Sequence, residues 1–240
     1  MKNICIIIPC YNEAERFDIG HFDAFYLKSE YSFIFVNDGS TDNTLELLLD
    51  ISKDRNRVKV VNLVKNGGKA EAVRQGFLEG YKFESFDYIG FWDADFATPL
   101  NEVLFFEKFF NGEKQIIFGA RVKRMGAQII RKASRHYFGR IFSTITTKLF
   151  KLPIYDTQCG AKFFHVSLIP LLFEKPFFSK WMFDIEIFVR YKKIFGEKVF
   201  LESCYEYPLS TWQEIEGSKL GMKDFILVPF QIVRLYFHYK

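Results

Sequence analysis

The run Tyr88-Ile89-Gly90-Phe91-Trp92-Asp93-Ala94-Asp95-Phe96-Ala97-Thr98-Pro99 decides how the rest of the chain is read. An apolar, aromatic-rich segment ends abruptly in two carboxylates one residue apart, then in a Thr-Pro pair able to start a helix. This is the pattern of a buried strand that delivers charge to a sheet edge. If the backbone stays extended there, residues two apart share a face, so Asp93 and Asp95 point into one space and Ala94 away from it. Their Cα atoms would then lie about 6.6 Å apart, whereas two oxygens on one divalent cation each come within about 2.0–2.6 Å of it. Either the backbone curls and both ligate, or Asp95 is the main ligand and Asp93 takes a hydroxyl or a water. Asp-x-Asp alone also fits solvated loop aspartates, so other segments must decide.

Working outward, Asn3 to Pro9 is an isoleucine-rich run of the kind found in central strands buried on both faces. It empties into Pro9-Cys10-Tyr11-Asn12-Glu13. Ser32 to Val36 is a second such strand, followed by Asn37-Asp38-Gly39-Ser40-Thr41-Asp42-Asn43-Thr44 and a leucine-rich helix, where Asn43 and Glu46 fit a capping pair. Val58 to Val64 is a third, and Asn66-Gly67-Gly68-Lys69 opens the next helix. Glycines there allow close backbone approach, and the helix start with Lys69 suits a diphosphate, although the spacing is not that of a Walker loop. A glycine turn with a solvated lysine fits equally well. Strand, loop and helix alternate up to Pro99, which predicts a parallel sheet with helices on both faces. Tyr11, Glu13, Asp38, Lys69, Asp93 and Asp95 all fall where strands end, the edge at which open α/β sheets bind ligands. Gln115 to Ala120 reads as a further strand, ending at Arg121.

The 240 residues fit one large domain, with 49% hydrophobic residues to fill its core. Cysteines at 5, 10, 159 and 204 show neither metal spacing nor a disulfide framework, which points to reduced thiols. No signal peptide or span of about 20 apolar residues is present. The 30 phenylalanines exceed what a soluble core needs, and some are expected on a surface facing an apolar partner. From Lys114 to Tyr155 there are ten Lys and Arg and no Asp or Glu, although 29 acidic residues occur elsewhere. Such a block attracts an anion: a membrane surface, a phosphate or a nucleic acid. No nucleic-acid-binding motif accompanies it. Apolar positions recur at helical spacing between Ser134 and Leu152 and again from Lys219 to Lys240, giving two basic amphipathic helices that either lie in a membrane interface or pack on the sheet.

In order, Pro9-x-Tyr11-Asn12-Glu13, Asp38-Gly39-Ser40-x-Asp42, Gly68-Lys69-x-x-Ala72 and Asp93-Ala94-Asp95 resemble glycosyltransferase family 2. Asp156-Thr157-Gln158-Cys159-Gly160-x-Lys162, Phe183-Asp184-x-Glu186 and Trp212-x-Glu214-Ile215-x-Gly217-Ser218-Lys219 resemble its dolichyl-phosphate glucosyltransferase branch. The resemblance implies a GT-A fold: a Rossmann-like, mostly parallel sheet with helices on both faces, here followed by C-terminal amphipathic helices. Residues 1–120 would form the nucleotide-sugar half and 121–240 the acceptor and membrane-facing half. It further implies a UDP-sugar donor, UDP-glucose by family likeness, with Mg²⁺ or Mn²⁺, a polyprenyl or dolichyl phosphate acceptor, and inversion at the anomeric carbon. Pro9, Tyr11, Glu13 and Asp38 would hold the nucleotide, Lys69 and Asp93 would assist, and Asp95 would bind the metal. Arg121, Arg131 and Ser134 match positions that handle phosphates. Asn37 departs from the family's usual aspartate. The amino-terminal anchor of eukaryotic members is not in this sequence, which implies a microbial enzyme held at the cytoplasmic face of a membrane peripherally or by a partner.

A phosphate acceptor, with a second pKa of about 6, is ionised at neutral pH and requires no general base. A sugar hydroxyl requires one, and Asp184 and Glu186 are the candidates for that role or for positioning the acceptor. The acid-free basic block suits the phosphate. Two other readings remain open, a family 2 enzyme with a hydroxyl acceptor and a non-catalytic nucleotide- or membrane-binding module.

Overall fold

A computed structural model describes residues 2–83, 86–215 and 222–240, with backbone alone at 83, 133–138 and 222–229. The chain runs β1 (Ile4–Cys10), α1 (Ile19–Tyr26), β2 (Ser32–Asp38), α2 (Thr44–Lys53), β3 (Val58–Leu63), α3 (Lys69–Phe83) and β4 (Tyr88–Trp92). These are the alternating elements expected from the apolar runs. The second half is less regular: α4 (Val103–Phe106), β5 (Ile116–Ala120), β6 (Gln128–Ile130), α5 (Ala133–Phe150), β7 (Ala161–His165) and α6 (Ile169–Phe173). It closes with α7 (Phe183–Ser203), β8 (Cys204–Pro208), β9 (Thr211–Gln213) and α8 (Met222–Tyr239). Gly196, at φ 83° and ψ 170°, breaks α7 into two segments, a backbone conformation that glycine tolerates without a Cβ clash.

Seven strands form one sheet in the order β3-β2-β1-β4-β7-β5-β8, and β6 pairs with β9 separately. All neighbours in the large sheet are parallel except around β7, which enters antiparallel between β4 and β5. The chain leaves β1 for β2 and β3 on one side and returns to β4 on the other. The order therefore reverses between β1 and β4, and the crevice at their carboxyl ends is the switch point where such sheets hold ligands. Register sets Ile7 beside Phe91, so Pro9 to Glu13 and Asp93 to Asp95 leave the sheet at one rim.

Both faces are covered, as continuous apolar strands require. Ile4, Ile6 and Ile8 point to one side, among Phe22, Phe25, Phe33 and Phe35; Cys5 and Ile7 point to the other, among Val73, Phe77, Phe91 and Phe164. Most phenylalanines thus serve the core, and the expected partner surface narrows to the exposed Phe105, Phe178, Phe230 and Phe237 among the described residues. The thiols are free, three of them buried. Helix α3 crosses β1 and β2 closely because Gly76 has no side chain: a Cβ there would overlap Ile7 and stand 3.0 Å from Val36 Cγ2. Gly76→Ala is expected to destabilise the fold by about 1–3 kcal/mol, the range for overpacking a filled core. Urea unfolding of the variant against wild type measures this.

Candidate active site

The site grows from two turns laced together beyond β1 and β2. Asn12, at φ 49°, donates its amide to Ser40 Oγ (3.0 Å) and accepts from the Thr41 amide (2.9 Å). The amides of Glu13 and Ala14 both donate to Thr44 Oγ1, at 2.8 and 3.1 Å. Asp42 accepts from the Thr44 amide at 3.0 Å and so caps α2; Asn43, expected to do this, makes no capping bond. The buried Glu13 carboxylate is forked by Arg16 at 2.8–3.0 Å. Asp38, 2% exposed, accepts from the Gly67 amide at 2.8 Å and the Gly68 amide at 2.9 Å. Burial pushes its carboxyl above the usual range, and the two amides oppose the rise. Its neighbour Asn37 turns inward, donating to Asn62 Oδ1 at 2.7 Å and accepting from the Ser40 amide. The departure from the family's aspartate thus falls on a buried bridge between β2 and β3.

Beyond Trp92 the strand stops and the chain curls. The Phe96 amide donates to the Asp93 carbonyl at 3.2 Å, the Ala97 amide to Asp95 Oδ1 at 3.0 Å, and Phe96 has φ 50°. Of the two arrangements open from sequence, the curled backbone is therefore the one adopted, so the 6.6 Å separation of an extended chain does not apply. The Asp93 amide donates to the Gly160 carbonyl at 3.1 Å, and the Asp93 carboxylate lies so close over Gly160 that a Cβ there would overlap it. Lys69 pairs with Asp93 from the start of α3. Burial, reinforced by the neighbouring Asp93 charge, raises the Asp95 carboxyl; the Ala97 amide and Lys69 oppose it. Two hard oxygen donors that repel each other fit a divalent cation, which would cancel that repulsion. Among the described residues no group of three His, Cys, Asp or Glu side chains forms. Water and phosphate oxygens would complete the coordination, the habit of Mg²⁺.

The basic side of the rim comes from the second half. Arg121 holds Asp156 by its amide (3.1 Å), Nε (2.7 Å) and Nη2 (2.8 Å) and stacks its guanidinium 5.4 Å from the Trp212 ring centroid. Burial alone would raise the Asp156 carboxyl, but Arg121 holds it well below the carboxylate range. Glu206 fixes this corner, accepting from the amides of Tyr155 (2.9 Å) and Asp156 (2.7 Å); no sequence signal marks it. Arg131 is half-buried, with its guanidinium over Gly139 of α5, and its charge also acts on Asp156. Ser134 lies in the first turn of α5, and its side chain is outside the described residues, as are Gly217, Ser218 and Lys219.

Asp184 and Glu186, expected as a general base or acceptor-positioning residues, are both buried in ion pairs, and the charges of Lys69 and Asp93 act on Asp184. Asp184 is buried and accepts from Lys162 Nζ at 2.6 Å; Lys162 is fully buried and also donates to the Cys159 carbonyl. Burial raises the Asp184 carboxyl against the pull of Lys162 and Lys69. Glu186, 0% exposed, accepts from the Phe178 amide (2.9 Å), Arg190 Nη2 (2.7 Å) and Tyr239 Oη (2.6 Å). A charge looks the same in a sequence whether it meets water or another charge, so residue type alone could not separate these roles. Lys180, absent from the sequence-based set, lies over Gly68, its Cδ 3.5 Å from where a Cβ of that glycine would stand. Asp184→Asn leaves the buried Lys162 charge uncompensated and is expected to destabilise by about 3–5 kcal/mol; Lys162→Met with Asp184→Leu should recover most of it. Chemical denaturation of both variants provides the measurement.

The family model of glycosyl transferase family 2 matches residues 5–172. Dolichyl-phosphate beta-glucosyltransferase of Saccharomyces cerevisiae is 30% identical over 91% of this chain and 69% of its own length. The Homo sapiens protein of the same name is 29% identical over 91% of this chain and 70% of its own. Glucosyl-3-phosphoglycerate synthase from Mycobacterium tuberculosis, with phosphoglyceric acid, superposes with TM-score 0.72 at 16% identity, over 99% of this chain and 80% of that one. Its complex with Mn²⁺, UDP and glucosyl-3-phosphoglycerate gives TM-score 0.70 at 15% identity, with the same coverage. The fold is GT-A, and the chain belongs to glycosyl transferase family 2 as a glycosyltransferase with dolichyl-phosphate beta-glucosyltransferases among its relatives.

Proposed function

We infer that the protein transfers glucose from UDP-glucose to a polyprenyl or dolichyl phosphate with inversion. One observation carries the choice of acceptor: both carboxylates that could serve a hydroxyl as general base, Asp184 and Glu186, are buried in ion pairs. A phosphate nucleophile has no need of them. In this reading Pro9, Tyr11, Glu13 and Asp38 cradle the nucleoside, and Lys69 faces the diphosphate while orienting Asp93. Asp93 and Asp95 would hold Mg²⁺ or Mn²⁺. When bound, the cation supplies charge neutralisation for the departing diphosphate. Arg131, with Ser134 and the Arg121–Asp156 corner behind it, receives the acceptor phosphate. An acceptor oxygen bonds to the anomeric carbon as the bond to the diphosphate breaks on the opposite side, and UDP leaves with the electron pair. Relatives named for dolichyl phosphate and a fold neighbour titled with UDP and Mn²⁺ support the assignment.

A lipid acceptor also agrees with the outer surface. Ile141 and Ile145 of α5 and Phe230, Val233 and Phe237 of α8 are exposed by 48–69% on two helices that touch. Their i, i+4 and i, i+3, i+7 spacings put them on helix faces, with Lys148 and Arg234 exposed alongside. This is the composition of an interfacial surface, and it supports peripheral attachment to a membrane. No helix among the described residues is long and apolar enough to cross one.

The test is incubation with UDP-glucose, Mn²⁺ or Mg²⁺ and a short polyprenyl phosphate, followed by separation of glycolipid. Formation of none from any nucleotide sugar would overturn the reading. Arg131→Ala is expected to lower turnover by about 10²–10³. Gly160→Ala, which forces Asp93 off its position, should lower it about 10²-fold with the melting temperature little changed. Asp95→Asn should abolish the dependence of activity on added cation, measured by titrating Mn²⁺.

A further inference from the structure

Lys180 has no role in the reading above, yet the structure goes to some length to hold it. Its stem lies across Gly68, the residue whose amide is bound to Asp38 and whose successor is Lys69. Among the described residues its ammonium makes no hydrogen bond or ion pair, although its charge reaches Asp38. Lys69, on the other flank of the glycine turn, is taken by Asp93. A cation with no directly bonded anion among the described residues thus overhangs a turn of glycine amides.

The segment carrying it is fastened from below. The Glu186 carboxylate receives the amides of Phe178 (2.9 Å) and Ser179 (3.3 Å), two residues and one residue before Lys180. Arg190 neutralises Glu186 and donates to the carbonyls of Leu172 (2.7 Å), Lys175 (2.9 Å) and Pro176 (2.7 Å). Ser179 Oγ accepts from the Met182 amide at 3.1 Å, closing the turn around Lys180. A fully buried carboxylate is expensive to desolvate, and besides Arg190 and Tyr239 its partners here are backbone amides of one loop. What that loop presents to the rim is Lys180.

We propose that Lys180 binds the diphosphate of the nucleotide donor across the Gly67-Gly68 turn, and that Glu186 is the positioning residue that sets it there. This rests on the reading of the rim as a nucleoside diphosphate site. An ammonium facing a phosphate oxygen forms a charge-assisted contact, which Lys69, engaged with Asp93, supplies only in part. Ribose and base carry no charge for Lys180 to meet, so the contact is specific to the phosphates.

Calorimetric titration of the full chain with UDP and with uridine, each with Mn²⁺ present, tests it. Lys180→Ala is expected to weaken UDP about ten- to a hundredfold, leave uridine unchanged and leave the melting temperature unchanged, with Lys180→Arg restoring most of the affinity. Glu186→Gln should weaken UDP similarly, and the double variant should be no weaker than Lys180→Ala alone, because both act through one contact. UDP affinity of Lys180→Ala within twofold of wild type would overturn the proposal. So would an equal loss for uridine, or additive losses in the double variant. If wild type itself binds no UDP, the donor-site reading fails instead.

Discussion

Four carboxylates stand at or beyond the carboxyl ends of β1, β2 and β4, and each requires compensation for its burial or for the like charges beside it, Glu13 and Asp93 acting on Asp95. Each receives a different one. Glu13 is forked by Arg16, Asp38 takes two glycine amides, Asp93 takes Lys69, and Asp95 keeps one amide and the residual repulsion of its neighbour. The compensation is graded, and Asp95 is left as the carboxylate with most to gain from a cation. That gradient follows from position: Asp95 sits in the curl beyond β4, where the backbone has few amides to offer.

The curl depends on a residue far away in sequence. Asp93 is fixed by the Gly160 carbonyl and by the open space that a glycine leaves beneath its carboxylate. Gly160 in turn precedes β7, the one antiparallel strand of the large sheet, which aligns Ala161 with Trp92. Lys162, one residue further on, is buried between the Cys159 carbonyl and Asp184. A short stretch thereby joins the acidic rim to the start of α7. Replacing such a buried pair by apolar residues is often neutral, so its value lies in fixing geometry more than in adding stability.

The first half of the fold was legible because its strands are uninterrupted apolar runs and its helices follow glycine or Asx turns. Ile4–Cys10 and Tyr88–Trp92 are buried on both faces, and nothing in their sequence competes with that assignment. β7 and β8 escaped notice because Ala161-Lys162-Phe163-Phe164-His165 and Cys204-Tyr205-Glu206-Tyr207-Pro208 carry charges that look solvent-directed and are instead buried or half-buried in ion pairs and amide bonds. The candidate residues at the ends of β1, β2 and β4 were found for the same reason the strands were. Asp184 and Glu186 were marked as acceptor residues on residue type and motif, and their burial in ion pairs carried no signal in the sequence.

The sequence by itself determined the parallel half-sheet, the edge at which polar residues collect, and the concentration of positive charge between Lys114 and Tyr155, since periodicity and composition are local properties. Tertiary structure alone decided the curl at Asp93, the burial of Asp184 and Glu186 in ion pairs, and the arrival of Lys180 over Gly68. Each of those depends on contacts between segments tens of residues apart, where desolvation and pairing of charge, invisible to residue type, choose the position of a side chain.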